Sequence, residues 1–262
     1  MAASPKIGNS PLGGLGMMAA RPIERGELIH TETALVFCDT GYLQSRWLLP
    51  GTANTFFAAQ RTAPISVLHS AVAQLEAAQQ GVFRALGPQP GYDNTRDRIV
   101  RRFEHNAYDF NRVNNPRRIH VVVYETFSRI NHSCVPNAAL EIWPRRTQFP
   151  EGQARLIATR AIPAGDEIFV NYMPNHWMDH HQTRVAALNN HWGFRCTCVG
   201  CTSPFIPMDT SARNLAVSCH AAIGAMTATV TEEQKTSSIM HIETYIKTLV
   251  SLGIWDDKLS FA

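Results

Sequence analysis

Three cysteines lie within a window of six residues, in the run Cys196-Thr-Cys-Val-Gly-Cys201. Thiolates this close together can point at one ion, and the C-x-C-x-x-C spacing is typical of a zinc site. Cys196 and Cys198 are too close in the chain for an easy disulfide bond. Three sulfurs leave a tetrahedral ion one ligand short. The spacing therefore predicts zinc bound in a reducing compartment, with a fourth ligand from elsewhere in the chain.

A second run of polar and reactive side chains spans residues 129–137 and reads Arg-Ile-Asn-His-Ser-Cys-Val-Pro-Asn. The residues alone leave three interpretations open. Such a run is typical of a turn whose side chains hydrogen-bond their own backbone. Cys134 could instead be a small buried hydrophobic residue, or a nucleophile with His132 as its base. Neighbours in sequence rarely have the geometry that the nucleophile would need.

Short strands are expected to position both runs. Apolar and β-branched residues favour extended structure at 28–37, 119–124, 138–143, 153–158 and 167–172. Turns rich in proline and glycine separate these segments, as in Ile162-Pro-Ala-Gly165. A loop with glycines at 13, 14 and 16 precedes the first strands.

Helical periodicity marks two other parts of the chain. Residues 41–115 are interpreted as a helical insertion, with a helix cap at Asp93-Asn94. Residues beyond Cys201 are expected to be helical, with a capping box from Thr231 to Gln234 and a stop at Gly253. The apolar residues at helical spacing are Ile65, Leu68, Val72 and Leu75, then Ile99, Phe103, Ala107 and Phe110, and finally Ile239, Ile242, Ile246 and Leu249.

Composition narrows the class of protein. The chain has 262 residues, of which 45% are hydrophobic and 17% charged, so it can bury a core. A net charge of +3 argues against a dedicated nucleic-acid binder. No apolar run is long enough to span a membrane, and the first residues show no secretory signal. We expect a protein that binds neither nucleic acid nor membrane directly and that acts as a monomer.

Four segments agree in order and spacing with one known family. They are residues 14–27, with Gly-Leu-Gly and then Ile-Glu-Arg-Gly-Glu; 128–137, with Asn-His-Ser-Cys-Val-Pro-Asn; 161–172, with Gly-Asp-Glu-Ile-Phe-Val-Asn-Tyr; and 192–201, with Trp-Gly-Phe-Arg-Cys-Thr-Cys-Val-Gly-Cys. The chain resembles SET-domain methyltransferases, and within them the branch of the SET-and-MYND proteins and their fungal relatives. No cysteine lies between Cys38 and Cys134, so the MYND zinc module is absent.

The resemblance implies a fold and a division of the chain. The fold is mainly β with helical additions (α+β): several short sheets with a pseudoknot, a helical insertion, a zinc-bound post-SET segment and a short helical C-terminal tail. Residues 11–172 would form the SET domain, with the insertion at about 41–115. Residues 173–201 would form the post-SET segment, and residues 202–262 the helical tail.

The resemblance also implies two cofactors and their ligands. Cys134 would complete a Cys₄ zinc site with Cys196, Cys198 and Cys201. The residues expected to bind S-adenosylmethionine are Gly13, Gly14, Leu15, Asn131, His132, Tyr172, Trp192 and Phe194. The alternative for Trp192 and Phe194 is ordinary core packing.

Tyr172 matches the active-site tyrosine of the family. The implied reaction is methyl transfer from S-adenosylmethionine to a lysine side chain on a protein, histone or not, in the nucleus or the cytoplasm. An unperturbed phenol titrates near pH 10, so Tyr172 is expected to orient the amine rather than to act as a base. Two other classes remain open: a catalytically silent SET-type scaffold, and a SET-fold enzyme acting on a small molecule.

Several other polar residues have ordinary interpretations. Of His176, His180 and His181, positions 176 and 180 could share a helical face as metal ligands, but a solvated connecting helix is favoured because no carboxylate motif accompanies them. Arg101-Arg102 could face a substrate, although the exposed face of an insertion helix is favoured. Cys38 and Cys219 are interpreted as buried cysteines without a special role.

Overall fold

The structure is a computed structural model that describes residues 4–39, 63–87, 98–112, 115–142, 152–173, 179–202, 204–224, 240, 243, 244, 247 and 248. The chain divides into two compact units that alternate along the sequence. The first comprises Met1–Met17, Leu28–Ile130 and Leu140–Leu156. The second comprises Met18–Glu27, Asn131–Ala139 and Ile157–Ala262, and it contains the three clustered cysteines and residues 131–137 of the second run.

Ten short strands run through the described residues. They are β1 (Lys6–Asn9), β2 (Leu15–Met18), β3 (Leu28–Thr33), β4 (Val36–Asp39), β5 (Ala107–Arg112), β6 (Asn115–Val123), β7 (Asn131–His132), β8 (Ala138–Ile142), β9 (Gln153–Ala158) and β10 (Glu167–Val170). In the first unit, β1 pairs with β2, and β4, β6 and β5 form an antiparallel sheet in that order. Strands β3, β9 and β8 form another sheet, and β7 pairs with β10 in the second unit.

The strand predictions agree with these bounds to within a few residues. In β9, buried and partly buried residues alternate, because successive side chains of a strand point to opposite faces. Strand β10 ends two residues before Tyr172, which the sequence had placed inside it. The predicted strand at 28–37 is two strands, separated at Ala34 and Leu35. Residue 143, the predicted end of another strand, lies outside the described residues.

Five α-helices have both ends among the described residues. They are α1 (Ala63–Ala73), α2 (Ala77–Ala85), α3 (Arg98–Asn106), α4 (His181–Trp192) and α5 (Ile206–Gly224). The predicted insertion is therefore helical only in part. The periodicity through Ala107 and Phe110 was wrong as a helix signal, because helix α3 ends at Asn106 and strand β5 begins there. Pairing with β6 along its length holds β5 extended, so tertiary contacts override the local pattern.

Within the first unit, an apolar core packs the helices of the insertion against strands β4 and β6. Phe83 of α2 and Phe103 of α3 are 1% and 2% exposed, and their rings lie 5.4 Å apart. Cys38 of β4 belongs to the same core. Burial raises the pKa of its thiol to about 12, so Cys38 behaves as a small hydrophobic residue, as predicted.

Helix α4 carries the chain from Tyr172 toward the three clustered cysteines. It ends at Gly193, which has a φ of 72° and donates its backbone N–H to the carbonyl of Asn189. Glycine adopts this left-handed conformation without a steric penalty, so it stops a helix sharply. The sharp stop places Phe194 and Cys196 on a segment that leaves the helix axis.

Helix α5 confirms the expected helical character after Cys201 over Ile206–Gly224. The predicted cap at Asp93-Asn94, the capping box at Thr231 with its apolar residues, and the stop at Gly253 lie outside the described residues. No helix of the described part is long and apolar enough to cross a membrane.

Candidate functional site

Strands β7 and β10 bring Asn131, His132 and Tyr172 together. The two strands are parallel, with Phe169 opposite Asn131 and Val170 opposite His132. His132 is the last residue of β7, and Tyr172 follows the last residue of β10 by two positions. Because the strands are parallel, both residues lie at the carboxyl end of the strand pair. The backbone N–H of Ser133 donates to the carbonyl of Val170 at 3.0 Å and extends this pairing.

The ring of His132 bridges Tyr172 and Cys134. Its Nδ1 accepts the backbone N–H of Tyr172 at 3.0 Å, and its Nε2 lies 3.3 Å from the sulfur of Cys134. A neutral imidazole with an accepting Nδ1 carries its proton on Nε2. His132 therefore donates to the sulfur and does not accept a proton from it. This geometry disfavours the interpretation of Cys134 as a nucleophile activated by His132.

Aromatic rings surround Tyr172. Its centroid lies 5.2 Å from that of His132 and 5.4 Å from that of Trp192, and both pairs are tilted. The ring of Phe194 lies 6.1 Å from that of His132. Trp192 and Phe194 also pack against the buried cluster that includes three of the cysteines. Ring pairs at these separations stabilise one another beyond simple burial, so the rings hold one another in place and present an apolar surface.

Glu167 supplies a negative charge to this group. It is 7% exposed, and its Oε1 accepts the side-chain amide of Asn131 at 2.7 Å. Burial raises the pKa of Tyr172 above its usual range, and the charge of Glu167 raises it further. The Tyr172 hydroxyl therefore stays protonated at physiological pH. Sequence reasoning included Glu167 in a motif but gave it no role, although an acidic residue in a short apolar strand is a sign of a specific buried partner.

Two further polar residues of the 129–137 run serve local structure. Asn137 donates through Nδ2 to the carbonyl of Glu167 at 2.9 Å and accepts the N–H of Phe169 at 2.7 Å. The Ser133 hydroxyl accepts the N–H of Val135 at 3.1 Å. The turn interpretation thus describes Ser133, while Asn137 fixes the backbone of β10 beside Asn131 and His132.

The four cysteines that the resemblance singled out form one cluster. Their sulfur atoms all lie within 4.8 Å of one another, with Cys134 3.9 Å from Cys196 and 3.5 Å from Cys201. A tetrahedral zinc ion, at about 2.3 Å from each sulfur, would hold the sulfurs about 3.8 Å apart. The neighbouring thiols of Cys196, Cys198 and Cys201 lower the pKa of Cys134. The donor set fits a closed, structural zinc site.

Local turns bring three of these sulfurs together. A short 3₁₀ helix spans Val199–Cys201, and the backbone N–H of Cys201 donates to the carbonyl of Cys198 at 2.8 Å. Gly200 sits at the centre of this turn. A Cβ at Gly200 would lie 2.6 Å from the side chain of Val135 and 2.8 Å from that of Asp209. The turn therefore needs glycine because two other segments approach its backbone closely.

The predicted glycine loop belongs to the first unit. Gly13 and Gly14 have φ values of 97° and 71°, and the N–H of Gly13 donates to the carbonyl of Ser10 at 3.0 Å. Leu15, which begins β2, is 46% exposed. A Cβ at either glycine would meet nothing within 4 Å, so backbone conformation rather than crowding calls for glycine here.

Other sequence interpretations have mixed outcomes. Cys219 is 2% exposed and, like Cys38, is an ordinary buried cysteine. The exposed-face interpretation was wrong for Arg101, which is 4% exposed; Arg102 donates to the carbonyls of Arg84 and Arg98. His180 is exposed and directly precedes helix α4, while His176 lies outside the described residues.

Sequence reasoning missed a buried ionic cluster beside the cysteines. Asp209 lies between Arg184 of α4 and Arg213 of α5, and all three side chains are at most 3% exposed. Asp209 and Arg213 are four residues apart on one helix, a spacing that could have suggested a pair. No local pattern, however, links either residue to Arg184.

Comparison with known proteins identifies the family. The model of the SET domain family matches residues 14–173, which is more than half of the 262 residues. The chain belongs to the SET-domain family. The prediction of a mixed α+β fold with several small sheets of this type is confirmed.

Curated relatives match a short part of the chain. Histone-lysine N-methyltransferase SET5 of Meyerozyma guilliermondii is 35% identical over 80 residues, which are 30% of this chain and 15% of that protein. Histone-lysine N-methyltransferase set5 of Schizosaccharomyces pombe is 37% identical over 75 residues, 29% of this chain and 21% of that protein. The chain thus matches about a fifth or less of the length of each.

Among solved structures, the chain matches the SET domain of LSMT bound to lysine and AdoHcy. It is 12% identical, with a TM-score of 0.42, and the match covers 82% of this chain and 59% of that one.

Proposed function

We propose that the protein is an S-adenosylmethionine-dependent methyltransferase that acts on lysine side chains of a protein. The observation that carries the proposal is the placement of Tyr172, whose ring lies beside those of His132 and Trp192 where the β7–β10 pair ends. A SET-domain family member with this arrangement has the parts for methyl transfer to an amine. We further propose that it belongs to the SET-and-MYND branch, without the MYND module.

The residues that would hold S-adenosylmethionine are those expected from the resemblance. Asn131 and His132 would bind through main-chain groups, Gly13, Gly14 and Leu15 through the loop backbone, and Tyr172, Trp192 and Phe194 through their rings. The apolar faces around Tyr172 suit an adenine ring. When bound, the cofactor supplies a methyl group on a positively charged sulfur.

Tyr172 would orient the amine of the substrate. A lysine amine has a pKa of about 10.4 in water and must lose its proton to solvent before its lone pair can form a bond to carbon. Enclosure by apolar rings lowers the pKa of the amine, because burial disfavours the charged form. The tyrosine hydroxyl, whose own pKa is raised by burial and by the charge of Glu167, stays protonated and acts by position.

Zinc would have a structural role in this enzyme. The residues to hold it are Cys134, Cys196, Cys198 and Cys201, and four thiolates leave no open position for a substrate. We propose residues 11–172 as the SET domain, residues 173–201 as the post-SET segment and residues 202–262 as a helical tail. The enzyme would act as a monomer on a lysine-bearing protein segment, in the nucleus or the cytoplasm.

Transfer of a tritiated methyl group from S-adenosylmethionine to core histones and to a whole-cell lysate tests the proposal. Wild type should label at least one protein band, and Tyr172→Phe should lose most of that activity. Tyr108→Phe is a matched control: it removes a hydroxyl that donates to the carbonyl of Phe127, within the first unit. Its activity should stay near that of wild type.

Three outcomes would overturn the proposal or part of it. Cofactor binding without label on any protein would favour a small-molecule substrate. Absence of both cofactor binding and labelling would favour a scaffold. Equal labelling by wild type and Tyr172→Phe would show that the Tyr172 hydroxyl has no part in the reaction.

A further inference from the structure

Helices α4 and α5 bury three charged side chains next to the cysteine cluster. Arg184, Asp209 and Arg213 are 1%, 3% and 1% exposed. Charged groups are almost never buried to this extent unless they are paired. Two positive charges and one negative charge leave the cluster with a net charge of one positive unit.

Hydrogen bonds fix the geometry of this ionic cluster. Arg184 donates to Oδ2 of Asp209 at 2.6 Å and to the carbonyl of Asp179 at 2.6 Å. Arg213 donates through Nε to both carboxylate oxygens of Asp209, at 3.0 Å and 2.9 Å. Asp209 therefore joins helix α4 to helix α5.

The same cluster contacts the segments that carry the sulfurs. Arg213 donates to the backbone carbonyl of Cys134 at 2.7 Å, and Arg184 reaches the carbonyl of Gly200 at 3.5 Å. Asp209 also lies against Gly200, where a Cβ would clash with it. Each of the three charged residues thus contacts a segment that holds a cysteine of the cluster.

With zinc bound, the cysteine cluster and the ionic cluster carry charges of opposite sign. A divalent zinc ion with four thiolates has a formal charge of −2, whereas four protonated thiols have none. The excess positive charge of these three groups would be costly to bury beside neutral thiols. Beside the metal-bound thiolates it is compensated.

We propose that Arg184, Asp209 and Arg213 are positioning residues of the zinc centre, and that zinc binding and the docking of helix α5 stabilise each other. The proposal rests on the assignment of zinc to the four cysteines, not on methyl transfer. The two arginines compensate the charge of the metal-bound thiolates. Asp209 holds the arginines in place and carries their connection to α5.

Zinc affinity of the full-length protein, measured by competition with a chromogenic chelator, tests the first half. Arg213→Met should weaken zinc binding by about 10- to 100-fold, the range for loss of an outer-shell partner. Arg195→Met is the matched control, because Arg195 is an exposed charge next to Cys196 in the chain. Its zinc affinity should stay within about twofold of wild type, since exposed charges are screened by solvent.

Hydrogen exchange of the wild-type protein with and without the chelator tests the second half, and it needs no variant that folds. Zinc removal should raise exchange in Ile206–Gly224 and leave exchange in the first-unit helix Ala77–Ala85 unchanged. Unchanged exchange in α5, or equal zinc affinities of Arg213→Met and Arg195→Met, would overturn the proposal. Failure of the purified protein to bind zinc at all would overturn the zinc assignment itself, whatever its methyl-transfer activity.

Discussion

In the first unit, the core around Phe83 and Phe103 consists of aliphatic and aromatic side chains with one cysteine among its described members, and it packs helices against strands β4 and β6. In the second unit, the cluster next to Tyr172 has five buried members among the described residues. Three of them are the cysteines Cys134, Cys196 and Cys201, and the others are Leu188 and Met173. The two regions are therefore stabilised by different chemistry, although both belong to one chain.

This difference separates what apolar burial can do from what a metal must do. Burial of apolar side chains lowers the free energy of the folded state without any ligand, so the first core needs no metal ion to form. Thiols next to a buried ionic cluster contribute little to stability until a metal ion binds them. The part of the molecule that carries Tyr172 should accordingly depend on zinc, and the helical insertion should not.

Cys134→Ser should have the largest effect on stability. It removes the one sulfur that joins the β7 segment to the three clustered cysteines, and loss of a structural zinc site costs many kcal/mol, on the order of ten in small domains. The zinc content and the melting temperature of the variant measure this effect.

The matched control is Cys219→Ser, which places a hydroxyl at a buried cysteine of helix α5 outside the cluster. It should cost about 1–3 kcal/mol and leave zinc bound. Retention of zinc in both variants would contradict the role given to Cys134.

Phe83→Ala should produce the opposite pattern. Phe83 is 1% exposed in the apolar core, so truncation should cost about 3–5 kcal/mol through lost burial and a cavity. Zinc affinity should not change. Chemical denaturation together with chelator competition checks both statements, and a loss of zinc would show that the two regions are coupled.

Gly200→Ala should have an intermediate effect. Its methyl group would collide with Val135 and Asp209, which costs about 1–3 kcal/mol and weakens zinc binding. Gly81→Ala is the control, because Gly81 lies within helix α2 with open space around it. That change should stabilise the protein by about 0.5–1 kcal/mol. Equal effects on thermal stability would contradict the close approach at Gly200.

Two tyrosines should give the smallest effect on stability, seen as a pH dependence in alkali. Burial raises the pKa of Tyr172, as does the charge of Glu167; burial and the charge of Glu32 do the same for Tyr124 in the first unit. Both pKa values are higher in the folded than in the unfolded protein. The contribution of the two tyrosines to the free energy of unfolding is therefore complete below about pH 10, and it decreases as the pH rises further.

Denaturation at pH 9 and above measures the slope of the free energy of unfolding against pH. Tyr172→Phe and Tyr124→Phe should each reduce it, by about 1.4 kcal/mol per pH unit at most. Spectroscopic titration of either tyrosine near pH 10 in the folded protein would contradict the raised pKa values.

The parts that the sequence predicted well are those with a local signal. Strand-type residues between proline and glycine turns predicted β9, and the close spacing of Cys196, Cys198 and Cys201 required no long-range information. The fourth sulfur, 62 residues before Cys196, came from family resemblance rather than from spacing. The geometry of the four sulfurs agrees with that choice.

The features that sequence reasoning missed depend on contacts between distant residues. Helix α3 ends at Asn106 because β5 pairs with β6, a contact that periodicity cannot register. Arg213 reaches Cys134 across 79 residues, and Arg184 reaches Asp209 across 25. A buried arginine has the same letter as an exposed one, which is also why Arg101 was placed on a surface.

Mass spectrometry of proteins treated with the enzyme and deuterated-methyl S-adenosylmethionine tests the proposed lysine methylation most directly. We expect deuterated methyl groups on lysine side chains after treatment with wild type, and few or none after treatment with Tyr172→Phe. Deuterium on no lysine, from a zinc-loaded protein that binds the cofactor, would contradict the proposed activity.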